Sequence, residues 1–127
     1  SERRCGTYYP GEGCMYKDSY LNEFVDDFWD QDDFDNAEDI ENERDDDDKE
    51  DIADNYFEDN LGDYVTPYAS WHPAEDIAES FAYFVLRDKP TNTSEEAARK
   101  LLFFHEYTEL VDIRSTIREN YKALFNF

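Results

Sequence analysis

The chain has 127 residues, 34 acidic against 12 basic, for a net charge of −22; 39% are hydrophobic and 17% aromatic. That length suits one domain, and the charge excludes nucleic acid as a default partner, because a phosphate backbone repels such a surface, and argues equally against docking on an anionic membrane. No apolar run approaches the roughly 18–20 residues of a spanning helix, and no charged and then apolar leader opens the sequence, so any signal peptide is expected outside these residues.

The first segment, 1–25, holds a loop and the start of a helix. Cys5 and Cys14 enclose eight residues that include Pro10, Gly11 and Gly13. Two cysteines closing a turn-rich loop read most simply as a disulfide staple, and with it an extracytoplasmic location; the alternative is a pair of free thiols in a reducing compartment. A metal site on the two sulfurs needs two further soft ligands that the chain does not supply. From Ser19 to Asp30 the apolar residues Tyr20, Leu21, Phe24, Val25, Phe28 and Trp29 fall at helical spacing, with Ser19 as the N-cap.

The second segment, 26–62, is dominated by charge. Between Asp26 and Asp59 stand 19 acidic residues and two basic ones, Arg44 and Lys49, a net of −17; the other 93 residues carry 15 acidic and 10 basic, a net of −5. Like charges at this density repel, and the apolar beats at Phe34, Ile40, Ile52, Tyr56 and Phe57 are sparse. The segment is expected to be a flexible loop, with at most one helical turn near Ile52–Phe57. Its dense Asp45–Asp48 run lacks the glycine and closing glutamate of a high-affinity calcium loop, leaving low-affinity Ca²⁺ or a basic partner as what it would bind, and a solvated linker as the plainer alternative.

The third segment, 63–127, is expected to supply two more helices after a short extended piece, Tyr64–Val65–Thr66, ended by Pro67. His72-Pro73-Ala74-Glu75 starts a helix with proline at its first position, and Ala74, Ile77, Ala78, Phe81 and Val85 trace its buried stripe. Thr93-Ser94-Glu95-Glu96 reads as a capping box opening a long final helix to about Tyr121. Its core side follows Leu101, Phe104, Tyr107 and Val111, and Leu110, Ile113, Ile117 and Tyr121. Glu95–Arg99 and Glu96–Lys100 add exposed ion pairs one turn apart. Asn92-Thr93-Ser94 spells a glycosylation sequon, although a cap at Thr93 or Ser94 accounts for those residues more simply. The expected fold is one mainly α domain of three amphipathic helices, short extended segments and a long acidic loop.

Chemistry-bearing residues are few. The two histidines, His72 and His105, leave most metal and acid–base schemes short of parts. His105-Glu106-Tyr107-Thr108-Glu109 begins like a zinc-binding His-Glu-x-x-His helix, but Glu109 stands where the second imidazole must be, so His105 reads as an ordinary helical residue. Glu75 and Glu79, one turn apart, project from one helix face. They serve either as a capping-box glutamate and a solvated side chain, or as a metal ligand with its orienting neighbour.

The stretch Tyr64–Ala82, with the core Glu75-Asp76-Ile77-Ala78-Glu79-Ser80-Phe81, resembles the third-ligand region of bacterial gluzincin-type zinc metallopeptidases. It is closest to the secreted or lipoprotein zinc-binding metallopeptidases and is distantly like the catalytic domain of anthrax lethal factor. Weaker likeness extends to Lys100–Phe104, Leu110–Arg114 and Cys14–Trp29. The resemblance implies a zincin C-terminal subdomain in which Glu75 is the third zinc ligand and Tyr68 steadies an oxyanion. Asp76 and Glu79 would then orient ligands, and the cofactor would be zinc. On residue type alone, Tyr68 is equally a packing aromatic. The first two ligands and the general base of such enzymes lie on a His-Glu-x-x-His helix that these residues do not contain. The expectation is therefore the C-terminal part of a peptidase-like domain, partnered by an upstream segment of the same protein and inactive alone. An apolar patch should be exposed where that helix packs. A different class of reading is a non-catalytic acidic interaction module.

Overall fold

The computed structural model describes residues 19–127, so the Cys5–Cys14 loop lies outside the described residues. The described part is mainly α, as expected, but has six helices rather than three. They are α1 (Tyr20–Phe28), α2 (Gln31–Asn42), α3 (Asp46–Asp59), α4 (Pro73–Leu86), α5 (Glu96–His105) and α6 (Thr108–Tyr121), with a 3₁₀ turn at Pro67–Ser70. α4 is the hub, packing against the turn, α1, α5 and α6, while α2 and α3 pair with each other and both rest on the turn.

α1 begins where the sequence says it should: the Ser19 hydroxyl accepts the Asn22 amide at 3.2 Å. Its buried face, Asn22, Phe24 and Val25, meets the aromatic centre of the molecule. There Phe24 packs edge-on to Phe103 and lies near-parallel to Phe104, which in turn contacts Phe81 and Phe84. Phe24, Phe84 and Phe104 are at most 2% exposed, and burial of each contributes about 1.5–3 kcal/mol.

The acidic segment is a helical hairpin, not a loop. Two things overcome its charge. First, some of the acids sit at helix starts, where unpaired amides and the helix dipole favour them. Asp30 and Asp33 form a reciprocal capping box on α2, and Asp45 accepts the Asp47 and Asp48 amides at 2.9 and 3.1 Å on α3. Second, the sparse apolar beats recur on one face: Ile40 and Ala53 are buried, and Phe34, Ala37, Tyr56 and Phe57 pack against the core.

The Tyr64–Thr66 piece forms no strand; Thr66 is extended and its hydroxyl caps the 3₁₀ turn through the Ala69 amide at 3.2 Å. α4 starts with His72 at the N-cap and Pro73 at the first position, as read. Of its expected stripe Val85 is buried and Ile77 and Phe81 pack against the core, but Ala78 is exposed, and the most enclosed residues include Pro73, Asp76, Ser80 and Phe84. The two polar ones are accommodated because the core supplies partners for them.

The long final helix is broken in two. The chain leaves helical geometry at Tyr107 (φ −105°, ψ 112°), whose hydroxyl donates to Glu23 on α1 and whose ring packs on Phe103. α5 is capped by Glu95 without a side-chain hydrogen bond, so the Thr93–Ser94 capping box is not formed. Instead the Ala97 amide bonds the carbonyl of Gly62 at 2.8 Å. Gly62 has a φ of 92°, and a Cβ there would crowd the Glu95 side chain. α6 buries only Leu110, and Ile113 and Tyr121, expected in the core, are exposed. It is held by two arginines: Arg114 donates to the Phe84 and Arg87 carbonyls and Arg118 to that of Val85, each at 2.8 Å, satisfying the orphan acceptors at the end of α4.

Candidate functional site

The residues singled out by sequence divide between two places around the first turns of α4. Tyr68, on the 3₁₀ turn, and Glu75, in the first turn of α4, lie on adjoining elements, and both reach water. Tyr68 is 46% exposed, its ring tilted against Trp71 at 5.2 Å between centroids. Partial removal from water, then the charge of Glu75, and last the charge of Glu79, raise the Tyr68 hydroxyl above its ordinary value. Glu75 closes no capping box; its Oε1 lies 3.7 Å from Nε2 of His72, both side chains reaching water. Glu79, one turn on, accepts the Thr66 hydroxyl at 3.0 Å and so ties the turn carrying Tyr68 to α4. That bond adds to the packing of the 3₁₀ turn, which carries Tyr68, against α4, which carries Glu75.

Asp76, the next residue after Glu75, goes the other way, into the core. Its Oδ2 lies 2.8 Å from Nζ of Lys100 and accepts Nε1 of Trp29 at 2.8 Å, and its Oδ1 accepts the Ser80 hydroxyl at 3.2 Å. Burial pushes the Asp76 carboxyl up, against the downward pull of Lys100, Trp29 and Ser80. Lys100 also donates to the Asp63 carbonyl at 2.7 Å, lies 3.4 Å from Glu96 and sits 4.1 Å over the Tyr64 ring. The expected exposed Glu96–Lys100 pair is therefore a buried anchor, and Arg99 reaches the Thr93 carbonyl rather than Glu95.

The network continues outward. The hydroxyls of Tyr64 and Tyr56 donate to Oδ1 of Asp33 at 2.6 and 2.7 Å, fastening the acidic hairpin to the core. Burial and then the Asp33 hydrogen bond raise both phenols. Sequence reasoning missed Lys100, Tyr64 and Asp33. A signal existed for Lys100: it precedes Phe103 and Phe104 by three and four residues, on the face they bury.

A zinc ion does not fit the described residues by themselves. Glu75 and His72 offer two donors, and among the described residues no group of three or more His, Cys, Asp or Glu side chains could hold a metal. The His105 ring packs edge-on to Phe84 at 4.7 Å. The exposed large apolar side chains are Tyr20, Leu61, Tyr68, Leu86 and Ile113, with Tyr121, Leu124, Phe125 and Phe127 at the C-terminal end. No helix among the described residues is long and apolar enough to cross a membrane. Compared with known proteins, the chain matches no family model, no curated sequence and no solved structure.

Proposed function

We propose that this chain is the C-terminal part of an extracytoplasmic zinc-metallopeptidase-like domain, a zincin C-terminal subdomain, to which it contributes Glu75 as one metal ligand. Tyr68 stands beside that carboxylate as a hydroxyl donor for developing negative charge on a substrate oxygen. The observation that carries the reading is the Tyr68–Glu75 pair. Seven residues apart, as in the family resembled, the two stand on adjoining elements, the 3₁₀ turn and the first turn of α4, with both side chains reaching water and the carboxylate unspent on capping. Glu79 positions the pair through Thr66, and Asp76 fixes the helix that bears Glu75. The remaining ligands and the general base belong to an upstream segment of the same protein, and the chain alone is inactive.

The test is zinc binding and peptide hydrolysis by the protein extended through its upstream segment, compared with Glu75→Gln. One zinc per chain and activity, both lost in the variant, support the reading. Zinc held equally well by the variant overturns it.

One observation favours a second reading. The acidic run is a capped helical hairpin, not a linker, and its first α3 turn, Asp46–Asp48, points carboxylates outward. In this reading the hairpin is a rigid acidic face for a basic protein partner or for Ca²⁺ at low affinity. Binding of a basic partner that survives Glu75→Gln and is lost on neutralising Asp46–Asp48 separates it from the first.

A further inference from the structure

The loop joining α4 to α5 holds a pattern that capping does not explain. Asn92-Thr93-Ser94 is the one Asn-x-Ser/Thr triplet among eight asparagines. A helix cap at Thr93 or Ser94 would have accounted for it, but α5 is capped by Glu95, its Ala97 amide is taken by Gly62, and the Thr93 and Ser94 hydroxyls make no hydrogen bond in the described structure. Residues 91–95 are all exposed.

We infer that Asn92 is an acceptor for N-linked glycan. Its Oδ1 accepts the Ser94 amide at 2.9 Å, which leaves the amide nitrogen Nδ2 unengaged and turned to water. Ser94, whose amide closes this turn, carries the hydroxyl that an Asn-x-Ser acceptor requires. The Thr93 carbonyl is held by Arg99 at 2.7 Å, so the loop is fixed against α5 while its side chains stay outside. A glycan on Asn92 therefore extends into solvent without displacing any packed group. In the transfer, Nδ2 of Asn92 forms a bond to the anomeric carbon of a diphosphate-activated oligosaccharide. The bond from that carbon to the diphosphate breaks, the diphosphate departs with the electron pair, and one amide proton passes to a base of the transferase. The donor and transferase are those of a secretory compartment, so the inference depends on export of the chain and not on the zinc reading.

The experiment is secretion of the full chain through a glycosylating host, read by intact mass before and after peptide N-glycosidase and by peptide mapping. The expected result is an enzyme-sensitive mass increment on the Asn92 peptide, lost in N92Q and in S94A and retained in S94T, with the other seven asparagines unmodified. Circular dichroism of N92Q, identical to the parent, excludes misfolding as the cause. A folded, secreted chain with unmodified Asn92, or an increment that persists in N92Q, overturns the inference.

Discussion

The ammonium of Lys100 lies 2.8 Å from a carboxylate oxygen of Asp76, and both side chains are fully enclosed. The pair joins α5 to α4 at the residue after Glu75, with Trp29 of α1 donating to the same oxygen. Enclosed charges are tolerated only when paired and hydrogen-bonded, and here the Asp63 carbonyl, the Ser80 hydroxyl and the Tyr64 face complete the set.

Breaking that pair from either side should therefore be severe. Lys100→Met and Asp76→Asn are each expected to lower stability by about 3–5 kcal/mol, because each leaves an uncompensated charge in the core. Urea unfolding monitored by circular dichroism measures it. A loss in both variants no greater than that of an exposed pair, about 1 kcal/mol or less, contradicts the account.

Tyr64 links the anchor to the acidic hairpin, with Lys100 over its ring and Asp33 on its hydroxyl. Tyr64→Phe is expected to cost about 1–3 kcal/mol, the range for leaving a buried acceptor short of a donor. Amide exchange should quicken first in α2 and α3, while α4 and α5 keep their protection. Uniform quickening across all six helices would mean that the hairpin is not fastened at this point.

Screening should help the hairpin. Raising monovalent salt from about 0.01 M to about 0.1 M shortens the Debye length from about 30 Å to about 10 Å, which weakens repulsion among the exposed acids of α2 and α3. The melting temperature is expected to rise over that interval, and a flat or falling curve contradicts this view of the acidic segment.

Mild acid should act in the same direction. Burial is the main cause of raised carboxyls at Asp27, Asp63 and Glu96, and the charge of Asp45 is the main cause at Asp48. An acid whose folded value exceeds its unfolded one holds more protons when folded, so it adds stability as pH falls through the folded value, in full below the unfolded one. Glu109, lowered chiefly by its hydrogen bond from Tyr20, opposes this. So does His105, which burial and the charges of Arg114 and Lys89 hold below its usual value of 6.5; the folded state favours its neutral form, and that contribution is lost as pH falls below 6.5. His105→Gln should therefore show a steeper gain in urea midpoint between about pH 7 and about pH 5 than the parent. Parallel profiles contradict the assignment.

The sequence was most legible where a single residue decides local geometry. Ser19 caps α1 and Pro73 opens α4 as their chemistry requires. It was least legible where partners are distant. Net charge made 26–62 read as loop, yet Asp30, Asp33 and Asp45 act one at a time as helix caps, and Asp33 gains Tyr56 and Tyr64 from 23 and 31 residues away. The break at Tyr107 carries no proline or glycine; it arises from packing on Phe103 and a bond to Glu23, which only the fold brings near. Glu75 was singled out by its spacing with Glu79 and Tyr68 through resemblance, whereas the approach of His72 to Glu75 and of Lys100 to Asp76 became visible only in three dimensions.

The most direct measurement is a calorimetric zinc titration of the protein extended through its upstream segment, for the parent and for Glu75→Gln. Because Glu75 is partly exposed and outside the buried network, the variant should unfold within about 0.5 kcal/mol of the parent. The account predicts one tightly bound zinc in the parent and a marked loss of affinity in the folded variant. No zinc in the parent, or equal affinity in both, contradicts it.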